Sequence, residues 1–391
     1  MSCPARRITI TITLLPLFLL ALAASARAQP AWRSVSVGDD HVCALDAEGR
    51  AFCLGNNHSG QLGARTPERC GIIGESGARG CYPTPSEPAP VAAGGGMRFA
   101  SIHAGRYVTC GLTSEGRAFC WGDPMGDTAA YRDPCLRGRA CSFSPIPLDP
   151  ARRFAAFDGA TRCGVAIDGR ALCWGTEYRT TADVSTPWPV PVVSVTGDPE
   201  TRTLCVAARD GRAYCRGEGR FGLRGTGLGD SASADGAPVA GDARFTQIVA
   251  MEFWACGLDR EGAARCWGTP GNLGAAPRDA VREGFERCGD YTATWCNRTP
   301  VRVSGPMRFR SITAMPRGTM PTLNEIVGLT ADGRAWVWGG DRVPRPWRPE
   351  RRWRSVSAAD WGQCGVTTRG ELYCWGRNPH EEVQGLIPHP R

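Results

Sequence analysis

Seven segments of eleven residues align along this 391-residue chain without a gap, and that repetition constrains the fold more than any other feature. They read CALDAEGRAFC from Cys43, CGLTSEGRAFC from Cys110, CGVAIDGRALC from Cys163 and CVAARDGRAYC from Cys205. CGLDREGAARC from Cys256, VGLTADGRAWV from Val327 and CGVTTRGELYC from Cys364 complete the set. The mean spacing is about 53 residues, in the range of a propeller blade. With 50 Gly and 30 Pro punctuating the chain, long helices have little room, and short strands joined by turns are expected. The fold class is therefore all-β.

Each unit reads as a β-hairpin, near 43–53, 110–120, 163–173, 205–215, 256–266, 327–337 and 364–374. A Gly stands six positions after the first residue in every copy: Gly49, Gly116, Gly169, Gly211, Gly262, Gly333 and Gly370. A three-residue loop made of a type I turn and a left-handed residue needs glycine at that place. With Gly116 in that role, Cys110 pairs with Cys120 and Gly111 with Phe119. The same register sets a small residue (Ala44, Gly111, Gly164, Val206, Gly257, Gly328, Gly365) against a large one (Phe52, Phe119, Leu172, Tyr214, Arg265, Trp336, Tyr373) in every copy.

That register also places the two cysteines of a unit directly opposite each other, with Cα atoms expected about 4.5–5.5 Å apart, within disulfide range. Six bridges follow: Cys43–Cys53, Cys110–Cys120, Cys163–Cys173, Cys205–Cys215, Cys256–Cys266 and Cys364–Cys374. The sixth unit has lost both cysteines together, to Val327 and Val337, as a bridge within one unit requires. Three further close pairs, Cys70/Cys81, Cys135/Cys141 and Cys288/Cys296, sit in connectors, so nine disulfides are expected. Cys-x-x-Cys spacing is absent and His residues number 5, which argues against a zinc site. No metal and no cofactor is expected.

So many disulfides call for an oxidising compartment, and the N-terminus offers the route. Arg6-Arg7 precede an apolar run from Ile8 to Ala24, and Ala26-Arg27-Ala28 forms a small-x-small cleavage site before Gln29. Residues 1–28 are read as a signal peptide and 29–391 as one propeller domain, periplasmic or extracellular, with no membrane span after cleavage. The formal charge of +8 includes three leader arginines, Arg6, Arg7 and Arg27. The remaining basic excess is slight, and no nucleic-acid partner is expected.

The unit aromatic-x-x-Val, Cys-x-Leu, Gly-x-x-x-Cys-Trp-Gly with a trailing Gly-x-Leu-Gly resembles the regulator of chromosome condensation repeat. Five copies keep the Trp-Gly pair, from Trp121-Gly122 to Trp375-Gly376, and Gly60-Gln61-Leu62-Gly63 shows the trailing motif best. The resemblance covers roughly residues 32 to 386 and implies a seven-bladed β-propeller. The family's nucleotide exchange on a nuclear GTPase does not carry over, because no exchange-site residues match and export is the wrong compartment. The resemblance also takes in secreted bacterial propellers that inhibit β-lactamases through one face, which illustrates binding without naming a target here. The C-terminal run from Val383 to Pro388 is expected to complete the first blade.

Function is read as noncatalytic binding of a protein or cell-envelope ligand by a monomer. The connectors around the three extra cysteine pairs should project from one face, carrying Tyr82, Tyr131, Arg137, Arg139, Phe143, Tyr291 and Trp295 as contact candidates. One alternative is a hydrolase or lyase at the central channel, although no catalytic motif is present. Another is an anionic-polymer site in the Arg342 to Arg354 segment, through Arg345, Trp347 and Arg348. Gly217-Glu-Gly219-Arg-Phe-Gly222 matches a dinucleotide fingerprint but lacks the strand-turn-helix setting, and Asn297-Arg-Thr299 is a sequon expected in a solvated loop.

Overall fold

The computed structural model describes residues 31–66, 68–73, 78–83, 86–124, 133–135, 140–158, 162–174, 182–183, 188, 190–198, 203–217, 220–229, 233–251, 254–269, 286–288, 294–315, 325–339, 343–359, 362–376 and 384–387. The proposed signal peptide lies outside them.

Seven antiparallel sheets follow one another, each folded from a contiguous stretch of chain. Blade one holds β1 (Trp32–Val37), β2 (His41–Asp46) and β3 (Arg50–Asn56); a separate hairpin, β4 (Glu68–Ile73) and β5 (Ala78–Pro83), precedes its outer strand β6 (Ser86–Arg98). Blade two holds β7 (Ser101–Ala104), β8 (Val108–Leu112), β9 (Ala118–Gly122), the short β10 (Asp133–Pro134) and β11 (Ala140–Pro147). Blade three is β12 (Phe154–Asp158), β13 (Cys163–Ala166), β14 (Ala171–Cys173) and β15 (Ala182–Asp183). Blade four is β16 (Val192–Asp198), β17 (Thr203–Ala208), β18 (Ala213–Gly217) and β19 (Ser233–Pro238). Blade five is β20 (Phe245–Met251), β21 (Trp254–Asp259), β22 (Ala264–Gly268), β23 (Glu286–Cys288) and β24 (Thr294–Arg302). Blade six is β25 (Phe309–Met315), β26 (Glu325–Thr330), β27 (Ala335–Gly339) and β28 (Arg345–Trp347). Blade seven is β29 (Trp353–Ala359), β30 (Gly362–Thr367), β31 (Leu372–Gly376) and β32 (Gln384–Ile387).

The repeated hairpin is the second and third strand of every blade, and its register is the expected one in all seven copies, from Cys43 opposite Cys53 to Cys364 opposite Cys374. Gly116 shows how the turn works. Its N–H donates to the Thr113 carbonyl at 3.0 Å, the Thr113 N–H donates to Arg117 at 2.9 Å, and Gly116 takes φ 77°. The other six turn glycines lie between φ 79° and 88°. A side chain also braces the loop: the Arg117 N–H donates to Thr113 Oγ1 at 3.2 Å and the Ala263 N–H to Asp259 Oδ1 at 2.7 Å. In blades three and four that position is Ala166 or Ala208, and Asp168 or Asp210 inside the turn accepts from Arg170 or Arg212 instead. Ladder alternation from the bonded pair Thr113/Arg117 puts Cys110/Cys120 at a non-hydrogen-bonded site, where backbones approach closest. The six hairpin bridges accordingly span Cα separations of 4.0–4.2 Å, shorter than the spacing expected from sequence.

The small residue of the second strand has a reason that cross-strand pairing does not capture: it seats an aromatic from its own blade. Phe99 lies over Gly111, Phe245 over Gly257, Phe309 over Gly328 and Trp353 over Gly365, each ring so close that a Cβ would fall 2.2–2.5 Å from a ring carbon. Blade four inverts the arrangement. Its first strand opens on Val192, and Val206 fills the place of the glycine, both in one core cluster. The core runs between neighbouring blades. One cluster joins Phe154, Phe157 and Trp174 of blade three to Val108, Leu112 and Leu148 of blade two.

Neighbouring blades are also tied through their backbones by one recurring bond. The turn glycine of each blade accepts the N–H of the residue that opens the next: Phe99 to Gly49 at 2.8 Å, Phe154 to Gly116 at 2.7 Å, Val192 to Gly169 at 2.9 Å, and Phe245 to Gly211, Phe309 to Gly262 and Trp353 to Gly333 at 2.7 Å each. The seventh bond, Trp32 N–H to Gly370 at 2.8 Å, closes the ring. Hydroxyls and an amide on the first strands add to it. Ser355 Oγ and Ser357 Oγ accept from Val35 (3.5 Å) and Val37 (2.9 Å), Ser36 Oγ from Ala104 (2.8 Å), and Gln247 both accepts from and donates to Ile312 (3.0 and 2.9 Å).

The C-terminal segment does not complete the first blade. β32 pairs with β31 and forms the outer strand of blade seven, while blade one draws all four strands from residues 32–98. Blades one and seven instead meet by packing. Trp32, Val35 and Val37 bury against Val366, Leu372 and Ile387, and Trp32 Nε1 reaches the Ile387 carbonyl at 3.4 Å.

Candidate binding faces

In a four-stranded antiparallel blade, the hairpin turn and the link to the next blade lie on one face of the disc. The first-to-second and third-to-fourth strand connections lie on the other. The three cysteine-bearing insertions all interrupt the third-to-fourth connection, in blades one, two and five. In blade one the insertion is the β4–β5 hairpin, with Cys70 directly opposite Cys81. In blade two Cys135 and Cys141 form a disulfide. In blade five Cys296 is disulfide-bonded and buried on β24, and Cys288 lies on the adjoining β23.

Of the sequence candidates on these insertions, Phe143 is described to its side chain, and it is buried. The Arg65 guanidinium covers its ring with 5.0 Å to the centroid, and Arg65 is ion-paired with Asp133, so the segment leading into the insertion of blade one is latched to blade two's connection. Tyr131, Arg137, Arg139 and Tyr291 lie outside the described residues, as do the side chains of Tyr82 and Trp295.

The trailing motif of one blade clasps the next. Trp121 Nε1 donates to the Gln61 carbonyl at 3.0 Å with its ring over Gly63, and Trp267 Nε1 donates to the Leu223 carbonyl at 2.8 Å with its ring over Gly225. Leu223 in this role makes the tail of blade four a working copy of the motif. The dinucleotide-like run of glycines lies in that tail, between antiparallel β18 and β19, where the described residues hold a short 3-10 turn, Arg220–Gly222, and not the crossover helix that would take a pyrophosphate. His41 lies buried beside the first clasp. The Thr109 hydroxyl donates to Gln61 at 2.7 Å, so His41 Nε2 is the donor in its 2.7 Å contact with Thr109. Burial holds His41 neutral, with its pKa lowered to about 3.

The ring of first strands contributes Ser34, Ser36, Ser101, His103, Ser194, Thr196, Gln247, Ser311, Thr313, Ser355 and Ser357, and several of these are committed to neighbouring backbone as described. His103 Nε2 lies 3.0 Å from Ser101 Oγ, with its ring edge-on to Phe157, and burial lowers its pKa to about 4. Among the described residues no cluster of three or more His, Cys, Asp or Glu is placed to hold a metal ion, and no helix is long and apolar enough to cross a membrane.

In the arginine-rich segment, the candidates Arg345, Trp347 and Arg348 are engaged in pairing and packing. Trp347 is buried between Trp353 and Trp375, with centroids at 5.1 and 5.8 Å. Arg348 stacks 3.8 Å above the Trp375 ring, and Arg345 pairs with buried Glu325 at 3.1 Å. Asn297 is no loop residue. It is buried on β24, where its Oδ1 accepts from the Thr299 N–H at 2.9 Å.

These elements define a disulfide-braced, seven-bladed β-propeller whose blades are contiguous in sequence. Its repeats are of the Regulator of chromosome condensation (RCC1) type, and the family's sequence model matches residues 32–61 and 99–124, in the first two blades. The chain is 26% identical over 149 residues to Protein pim1 of Schizosaccharomyces pombe; the match takes in 37% of this chain and 25% of that protein's length. It resembles the crystal structure of Prp20p from Saccharomyces cerevisiae, with a TM-score of 0.61 and 16% identity over 89% of this chain and 83% of that one. Prp20p was described together with its binding properties to Gsp1p and histones.

Proposed function

We propose that the chain is an exported, noncatalytic binding scaffold that takes a protein or cell-envelope ligand on the face bearing the three cysteine-linked insertions, as a monomer in the periplasm or outside the cell. The observation that carries this reading is topological: all three insertions interrupt the same connection of their blades, so seven-fold geometry gathers them on one face. Braced loops lose less entropy when they bind, and the Arg65–Asp133 and Arg65–Phe143 contacts fix the entry to the blade-one insertion against blade two. Several groups of the hydroxyl-rich inner ring, Ser36, Gln247, Ser355 and Ser357 among them, are engaged in bonds between blades, which supports binding over chemistry at the channel. Like Prp20p, whose binding to other proteins is described, a propeller of this kind offers a broad rigid face.

The test is affinity capture from the native envelope or secretome with the oxidised protein. A variant in which residues 67–85, 125–139 and 270–293 are replaced by short Gly-Ser links serves as the control. Partners retained by the intact protein and lost by the variant are expected. An identical capture profile from both, with near-ultraviolet circular dichroism unchanged, would reject this face.

A further inference from the structure

A second and chemically different feature runs along blade six, from its hairpin turn toward its third-to-fourth strand connection. Between the link from blade five to blade six, the turn of blade six and Val343–Pro344 runs a groove of about 560 Å³. Pro306, Met307, Trp336, Val343 and Pro344 line it, with Thr330, Asp332 and Arg334 at one end. Val343 is 44% exposed, one of few large apolar side chains so open to solvent among the described residues.

Arginines crowd the turn end. Arg308 adjoins Met307 in the groove wall, and Arg310 donates through Nε to the Thr330 carbonyl at 3.3 Å and through Nη2 to the Arg354 carbonyl at 2.5 Å. Arg352 lies against the turn, its Cβ 3.4 Å from where a Cβ on Gly333 would sit. Arg334 completes the set. Among the described residues, Arg334 is the one member of this group that pairs with a carboxylate, Asp332 at 3.1 Å. Arg308, Arg310, Arg352 and Arg354 instead donate to backbone carbonyls, which aim their guanidinium groups without neutralising them. The Asp332 carboxyl is held below its ordinary range, first by the Thr330 hydroxyl, with Arg334 and Arg352 adding to the effect.

We propose that this groove and its arginine rim dock an acidic peptide segment of a partner protein, an apolar side chain of that segment entering between Trp336, Met307 and Val343 while its carboxylates meet Arg308, Arg310, Arg334 and Arg352. Arginine's planar fork suits carboxylates. The apolar concavity selects among anions: a polyanionic chain has nothing to place in it, and a flat lipid surface cannot enter it. The site shares no residue with the three cysteine-bearing insertions and stands or falls without them.

The experiment uses fluorescence anisotropy of the oxidised full-length protein with two labelled twelve-residue Glu-rich peptides, one with a central Leu and one with Ser in its place. The Leu peptide is expected to bind at least ten-fold tighter at physiological salt. Val343→Ser, a change at an exposed position, should abolish that preference, and Arg308→Gln with Arg352→Gln should weaken both peptides ten-fold or more and flatten the salt dependence. Arg117→Gln, on the same face in blade two, and replacement of the insertions should leave both affinities unchanged. Equal affinity for the two peptides, or no binding of either, overturns the proposal. So does competition by heparin or by phosphatidylglycerol vesicles that is indifferent to Val343→Ser, an outcome that would mark the rim as a polyanion or membrane site.

Discussion

The glycine under each leading aromatic gives a sharp test of how a blade is packed. A Cβ on Gly257 would lie 2.2 Å from Phe245 Cδ1 and 2.5 Å from Cε1, where ordinary contact begins at 3.4 Å. The ring would have to withdraw by more than an ångström, yet it is buried and leans on Trp267, with centroids 5.9 Å apart. The glycine's backbone is ordinary strand, so the penalty is steric. Gly257→Ala should cost about 1–3 kcal/mol as overpacking, and Gly257→Val about 3 or more. Phe245→Val alone should cost about 2–4 kcal/mol through the space the ring leaves. Blade four already holds the combined solution in Val192 and Val206. The double variant Phe245→Val/Gly257→Val is therefore expected to recover about 2 kcal/mol relative to the sum of the single losses. Guanidinium unfolding of the oxidised proteins, with unchanged m-values, measures the three free energies. If the single effects add to within about 0.5 kcal/mol, the residues do not share one seat and the packing argument is wrong.

Removing residues 377–391 should strip blade seven of its outer strand and Trp32 of its bond to Ile387, lowering the calorimetric melting temperature; an unchanged transition would contradict the pairing of β32. Ser357→Ala leaves the Val37 N–H without its 2.9 Å acceptor and should cost about 1–3 kcal/mol, with faster amide exchange at Val37 as the local signature. Because burial lowers the His41 pKa from 6.5 to about 3, its contribution is complete above pH 6.5 and is lost as pH falls toward 3. Urea midpoints across that window should show a slope reduced by up to about 1.4 kcal/mol per pH unit in His41→Gln. Val327→Cys/Val337→Cys, at the register of the other bridges, should oxidise to a seventh hairpin disulfide worth at most about 2–3 kcal/mol, read from thiol titration and melting temperature.

Local chemistry made the hairpins readable from sequence. A left-handed glycine and two residues ten apart leave one register, so Cys110, Gly116 and Cys120 announce their own geometry. The aromatic seat was hidden because its partners stand twelve residues apart, Phe99 and Gly111, and its sign was masked by an equally regular pairing of small with large across the hairpin. The Val192/Val206 inversion was the available signal. The role of the last strand was not legible, since a short apolar run can pair with either neighbour of the seam; the tie between Gly370 and Trp32 makes a strand shared across that seam unnecessary. The groove beside blade six draws on residues 304–307, 330–336 and 343–344, three stretches joined only by packing, so no run of sequence displays it. Trp347 was misleading for a related reason: a tryptophan among arginines looks like a surface grip until Trp353 and Trp375 enclose it.

The seven glycine-to-amide bonds all point the same way around the ring, and none depends on a strand lent by a distant part of the chain. Every seam is thus equivalent to the one between blades seven and one, so joining the blade-seven strand Gln384–Ile387 to Trp32 by a linker and cutting at any other seam should give a circular permutant with the same bonds between blades. The same property bears on ancestry. Duplicating one stretch of about 50 residues would add a whole blade, and a graft could move a loop-bearing blade to a new place on the disc, leaving diversification free to proceed by shuffling entire sectors.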